Sequence, residues 1–149
     1  MSCQKKVYVT TSIPYVNSRP HVGHALELIQ ADVIARHYRL AGHDVRFQTG
    51  TDENAFKNVL AAKAQGLSTQ ELVTRNAATF RSLVERLDIS ADDFIRTTED
   101  RHRRGVIESG TGSGWKTCTL APTWAFTVLV AKTFISNETW SMDVVRITG

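Results

Sequence analysis

The chain has 149 residues, a mass of 16.6 kDa, 42% hydrophobic and 22% charged residues, and a mean hydropathy of -0.22, which fits one small soluble domain or part of a larger one. A formal net charge of +3 permits a polyanionic partner without requiring one. No basic–apolar–small signal opens the chain, and its longest apolar stretch, 120–131, is interrupted by Pro122, Thr123 and Thr127 and is too short to span a bilayer. Two cysteines, Cys3 and Cys118, make neither a disulfide framework nor a zinc site as translated. A cytoplasmic globular protein is the expectation.

In chain order, residues 6–11 (KVYVTT) form a short β-rich run expected as a buried strand. Pro14, Asn17 and Pro20 mark 12–20 as a turn-like connection. Apolar residues at Val22, Leu26, Ile29, Val33 and Leu40 then recur at helical spacing, and Gly42 stands at the exit. Residues 44–49 (DVRFQT) predict a second strand, joined through Gly50 and Thr51 to a helix over about 53–65 that Gly66 ends. Ser68 and Glu71 form a capping-box signature ahead of a helix running to about Leu87, and 94–97 is a third candidate strand. Strands alternating with helices imply an α/β fold with a parallel sheet, half of a doubly wound domain, and a ligand crevice at the carboxyl ends of the strands.

The chain changes character near Val106. Residues 107–149 hold all three tryptophans, eight threonines and a glycine run at Gly110, Gly112 and Gly114, with no sustained helical period. The expected organisation is therefore a native-like region over 1–106 and a non-native-looking tail over 107–149.

The segment that carries chemistry is His21-Val22-Gly23-His24, at the start of the first long helix. A helix amino terminus offers unpaired N–H groups and a partial positive charge, which suit phosphate. Two imidazoles there can donate to a polyphosphate without full protonation. Gly23 removes a side chain, which leaves room for a flat base or ribose. At the end of the second strand, Gly50-Thr51-Asp52-Glu53 puts carboxylates at the same sheet edge. Asp52 there either holds an ammonium group or caps the next helix; its residue type suits both. His37 and His43 are expected on the surface, and Arg101, Arg103 and Arg104 on a solvated basic face.

The block from Val7 to Asn54, with P-Y-x-N, H-x-G-H and G-T-D-E inside it, resembles the opening of class I aminoacyl-tRNA synthetases, methionyl-tRNA synthetases in particular. The likeness continues through FKNVLAAKAQGLSTQELV to DDFIRTTEDRH and covers roughly residues 5–104. It implies the first half of a Rossmann-type catalytic domain, a parallel sheet flanked by helices, that activates methionine with ATP and loads it onto tRNA. By this resemblance His21, Gly23 and His24 bind ATP, with the two histidines catalytic. Ile13 and Tyr15 shape the methionine pocket, and Asp52 binds the α-amino group. Magnesium is implied with ATP, and neither a membrane nor DNA is an implied partner. The chain departs from many members in carrying Asn54-Ala55 where they have His-Gly.

The resemblance also implies parts that do not occur in these 149 residues: the second half of the nucleotide fold, a lysine-rich loop of the K-M-S-K-S type and an anticodon-binding domain. Without the lysine loop, catalysis by this chain alone is expected to be badly impaired. A shift of reading frame accounts for the tail. Joining the third base of each codon to the next two, residues 138–149 (ETWSMDVVRITG) permit DLVDGRCPDHG, and starting from Pro122 the shifted string gains C-x2-C ahead of C-x2-H. That is a four-ligand zinc pattern resembling the family's zinc-knuckle insertion. The expectation is a one-base frame change between about Gly105 and Ser109, with no zinc site in the chain as translated.

Overall fold

The computed structural model describes residues 4–112 and 143–146. They fall into two units, one of residues 4–97 with 143–146 and another of residues 98–112. The first unit contains strand β1 (Lys6–Thr10), helix α1 (Val22–Leu40), strand β2 (Asp44–Thr51), helix α2 (Phe56–Ala64), helix α3 (Thr69–Arg86), strand β3 (Asp93–Arg96) and strand β4 (Asp143–Arg146). Helix α4 (Asp100–Gly112) lies in the second. The expectations for 113–142, including the tryptophan-rich stretch and Cys118, lie outside the described residues, as does Cys3.

The sheet order is β3-β2-β1-β4 with every pairing parallel. Val7, Val9 and Phe47 project from one sheet face and pack against Ala31 and Ala35 of α1. Phe94 pairs with Thr49 and so shares that face; it packs with Val16 and with Val73, Ala77 and Phe80 of α3. Alternate positions carry Tyr8 and Gln48 to the opposite face, where their side chains hydrogen-bond at 2.6 Å. Both α1 and α3 therefore cover the same side of the sheet.

The apolar positions that announced α1 do not form its buried face. Val22, Leu26, Ile29, Val33 and Leu40 are 43–89% exposed, whereas Leu28, Ala31, Asp32 and Ala35 are buried. Small alanines one turn apart let the helix lie close against Val7, Val9 and Phe47, and alanine contributes little to an apolar period. Asp32, buried among them, is a tie rather than a defect. Its carboxylate accepts from the Ser90 backbone N–H at 2.8 Å, from the Ser90 hydroxyl and from Arg36 Nε at 2.7 Å. Burial pushes this carboxyl upward, but the hydrogen bonds from Ser90 and Arg36 outweigh it and hold it below the ordinary aspartate range. Arg39 adds bonds to Ser90 and Asp92, and Asp92 in turn accepts from the Phe47 N–H at 2.6 Å. The connection from α3 to β3 is thus pinned to α1 and β2.

Two boundaries differ from the sequence expectation for physical reasons. Strand β2 runs on through Gly50 and Thr51, because β3 pairs with it there: Gly50 sits opposite Ile95 and Thr51 opposite Arg96. Helix α2 starts at Phe56 rather than near Glu53, because residues 52–54 are occupied in a tight turn. The Asn54 N–H donates to Asp52 Oδ1 at 3.1 Å and the Glu53 N–H to Thr97 Oγ1 at 2.8 Å. Gly42 and Gly66, the expected exits of α1 and α2, have φ of 84° and 65°, a region open to glycine without steric cost.

Gly50 is required by space. A Cβ placed on it would lie 2.1 Å from the Ile95 carbonyl oxygen and 2.6 Å from Ile95 Cγ2. Gly50→Ala must push β2 and β3 apart, and the expected cost is about 1–3 kcal/mol, as for overpacked cores. Urea denaturation of the two proteins checks this; an unchanged midpoint would show that the strands separate freely.

Candidate active site

A small crevice, about 20 Å³, opens at the carboxyl ends of β1 and β2, lined by Thr11, Ser12, Pro14, His24, Thr49 and Gly50, with Phe80 and Phe94 beside them. Its floor is tied together by the Thr11 and Thr49 hydroxyls, 2.8 Å apart and both buried. Its rim is tied by Glu27 of α1, whose Oε1 accepts from Ser12 N at 2.8 Å and from Ser12 Oγ at 2.7 Å. The strand-end location matches the position expected for a ligand in an open parallel sheet.

His21 and His24 cap α1 reciprocally. His21 is the N-cap in extended conformation, and its Nδ1 accepts from the Gly23 N–H at 3.1 Å. The His21 N–H in turn donates to His24 Nδ1 at 3.1 Å. The imidazoles lie 3.9 Å apart, centroid to centroid, tilted by 40°, and His24 meets the Phe80 ring edge-on at 5.1 Å. A nitrogen that accepts a hydrogen bond carries no proton, so each neutral ring places its proton on Nε2, away from the cap. In that form both rings are donors through Nε2. Gly23 serves this cap directly: a Cβ there would come within 2.9 Å of His21 Cε1. The His21 ring lies against Gly23, in the space that the sequence reading assigns to a base or ribose.

Asp52 does not cap α2. The N-cap is Ala55, with no side-chain hydrogen bond, and Asp52 Oδ1 accepts from Asn54 N. The Asp52 N–H donates to the Pro14 carbonyl at 2.9 Å, and Tyr15 and Asp52 form an isolated parallel bridge. Tyr15 is 47% exposed, with Lys57 Nζ 5.8 Å from its ring centroid, a cation–π distance. Ile13 is half-buried in the same loop. The structure thus bonds Asp52 to the Pro14–Tyr15 loop and places His24 and Pro14 among the residues that line the crevice, while His21 and Asp52 do not themselves line it. Sequence reasoning missed Glu27, which stands one helical turn after His24, and it gave no separate role to Glu53, whose side chain is fully buried against Arg96. Among the described residues no group of three His, Cys, Asp or Glu side chains converges as a metal site would.

Burial first, and then the neighbouring His21, pushes the His24 imidazole below its ordinary value, with Glu27 acting in the opposite direction. The native state therefore takes up its proton later than the unfolded chain does. The His24 contribution to stability is complete above the ordinary histidine value and is lost as pH falls through that value toward the lowered one. An NMR titration of the His24 ring is expected to give a midpoint below that of a histidine in an unstructured peptide; a midpoint at or above it contradicts this environment.

The family model for tRNA synthetases class I (M) matches residues 7–109. The methionine–tRNA ligase of Mycobacterium bovis is 42% identical over 156 residues, covering 97% of this chain and 28% of that protein. That of Rhizobium meliloti is 54% identical over 95 residues, covering 64% of this chain and 18% of its relative. Among solved structures, Mycobacterium tuberculosis methionyl-tRNA synthetase in complex with methionyl-adenylate superposes with a TM-score of 0.69 at 50% identity, covering 71% of this chain and 21% of that one. An Agrobacterium radiobacter LeuRS complex, at 20% identity and a TM-score of 0.65, shares the fold. The chain spans roughly a quarter of the length of the curated relatives it matches, 24% in Brucella suis and 28% in Mycobacterium bovis. With its parallel sheet, its strand-end crevice and a family match over 7–109, the chain belongs to the class I (M) tRNA synthetases.

Proposed function

We propose that this chain supplies the part of a methionine–tRNA ligase that receives ATP and methionine, the whole enzyme forming methionyl-adenylate and passing the methionyl group to tRNA. One observation carries the reading: His24, at the capped end of α1, lines the strand-end crevice together with Pro14, and the Asp52 N–H donates to the Pro14 carbonyl, which brings both to the Pro14–Tyr15 loop. A related structure at 50% identity was solved with methionyl-adenylate, which supports the same pairing of ligands.

On this reading the Nε2–H groups of His21 and His24 donate to the phosphates of ATP, beside the partial positive charge of the α1 terminus. Gly23 keeps the His21 ring seated on its cap. Asp52 accepts from the α-ammonium of methionine, while Tyr15 and Ile13 border its side chain. The methionine carboxylate attacks the α-phosphorus in line, an oxygen–phosphorus bond forms, and pyrophosphate leaves with the electron pair. No protein nucleophile is consumed, so these residues act by positioning and by neutral hydrogen-bond donation to developing charge. Magnesium would travel mainly on the triphosphate, in keeping with its preference for phosphate and water oxygens.

Calorimetric titration of the chain with methionine tests this. Binding is expected, and Asp52→Asn should weaken it about tenfold or more, at least ~1.4 kcal/mol, as for loss of a charge-assisted hydrogen bond. Equal binding by Asp52→Asn removes the assigned role. Stronger binding of cysteine or another large aliphatic amino acid would move the chain to another class I specificity, and a chain that binds neither ATP nor any amino acid is a non-catalytic remnant.

The change of character near Val106 belongs to the same proposal. The family match stops at Ser109, inside the interval where a one-base frame change is placed, whereas the Mycobacterium bovis alignment continues over 97% of the chain. Sequencing the DNA across codons 100–115 separates them. An alternative frame open downstream and encoding C-x2-C followed by C-x2-H is the expected result; a closed alternative frame overturns it.

A further inference from the structure

The turn that presents Asp52 is held from inside by an ion pair between a buried carboxylate and a partly buried guanidinium. The Glu53 side chain is fully buried, and both of its oxygens are engaged by Arg96 of β3, Nε to Oε1 at 2.6 Å and Nη2 to Oε2 at 3.0 Å. Thr51 Oγ1 adds a third donor to Oε1 at 3.1 Å. The backbone of the same turn is gripped independently: Glu53 N–H donates to Thr97 Oγ1, and Asn58 Nδ2 donates to the carbonyls of Glu53 at 2.9 Å and Asp52 at 3.4 Å. Asn58 is itself fully buried, and Arg96 Nη2 reaches on to Thr74 Oγ1 of α3 at 3.2 Å. Elements β3 and α2 thus bond Glu53 directly, and α3 braces Arg96 behind it, while the neighbouring Asp52 donates its N–H to the Pro14 carbonyl.

An ion pair on a buried carboxylate is a poor device for stability alone, because desolvating that carboxylate offsets much of the attraction. What a two-pronged Arg–carboxylate pair supplies is geometry, since the planar guanidinium fork accepts one orientation of its partner. The geometry points to Glu53 and Arg96 as positioning residues for Asp52: their ion pair sets the direction of the turn, and with it the placement of the Asp52 carboxylate beside the Pro14–Tyr15 loop. This rests on the reading of Asp52 as the methionine-amino acceptor, and the two can fail separately.

The test compares the wild-type chain with Glu53→Gln and Arg96→Lys by amide hydrogen exchange and by methionine and ATP titration. Exchange at Asp52 and Glu53 is expected to accelerate tenfold or more in Glu53→Gln, while Val9 and Phe47 in the sheet core hold their protection. Arg96→Lys, which keeps the charge but not the fork, should fall between the two. Methionine affinity should drop at least fivefold with ATP affinity unchanged. Unaltered exchange at Asp52 and Glu53 overturns the proposal, as does an equal loss at Val9 and Phe47, which would mark the pair as a general stabiliser. If Glu53→Gln fails to fold, Thr97→Val, which removes only the hydroxyl accepting from Glu53 N–H, is read by the same criteria. If the wild-type chain binds no methionine, the reading of Asp52 fails while the exchange result still decides the role of the ion pair.

Discussion

The amino terminus of α1 sets the chemistry of this site, because the side chains that cap it are also those assigned to touch the phosphates. A helix end leaves backbone N–H groups without partners. Here His21 Nδ1 takes one of them, while His24 Nδ1 accepts the N–H of the cap residue itself. Spending both Nδ1 lone pairs on the backbone leaves the Nε2 protons for a ligand. Serine or aspartate would cap the helix equally well, but neither would present a second nitrogen with a proton on its far side. The H-x-G-H spacing follows: N-cap and N3 must both be histidine, and the residue between Val22 and His24 must leave space for the His21 ring.

The same economy runs through the opposite side of the crevice. Gly50 lets β2 and β3 approach closely enough to place Arg96 and Thr97 beneath the turn of residues 52–54. Thr97, Asn58 and Arg96 then hold that turn from below, and of the Asp52 carboxylate the turn uses Oδ1, which accepts from the Asn54 N–H. Glu27 ties the β1–α1 connection to the helix one turn past His24. Glu27 on α1, Asn58 on α2 and Arg96 on β3 brace the two halves from regular elements, the arrangement needed where catalysis rests on placement.

Much of this was legible in the amino-acid sequence, and what was not has identifiable causes. The β-rich runs, the glycine exits and the Ser68–Glu71 capping box locate β1, β2 and α3 because these are local signals. Helix α1 was found for a misleading reason: Val22, Leu26, Ile29, Val33 and Leu40 recur at helical spacing yet face outward, while the buried face is built from Ala31, Ala35 and the paired Asp32. Periodicity reports a helix, not which neighbour it meets, and the larger relatives carry some three quarters of their length beyond the matched segment. Residue type left the two roles of Asp52 open, because capping and ligand binding want the same carboxylate; the N-cap at Ala55 decides against capping. The Glu53–Arg96 pair was invisible, since its partners are 43 residues apart and only the β2–β3 pairing brings them together.

The most direct test of this account is the protonation state of the two rings. A long-range nitrogen–proton correlation spectrum of the chain, recorded above the histidine titration range, should show His21 and His24 each with its proton on Nε2 and a bare Nδ1. A proton on Nδ1 in either ring would mean that the reciprocal cap does not form. The Nε2 donors assigned to the phosphates would then be absent.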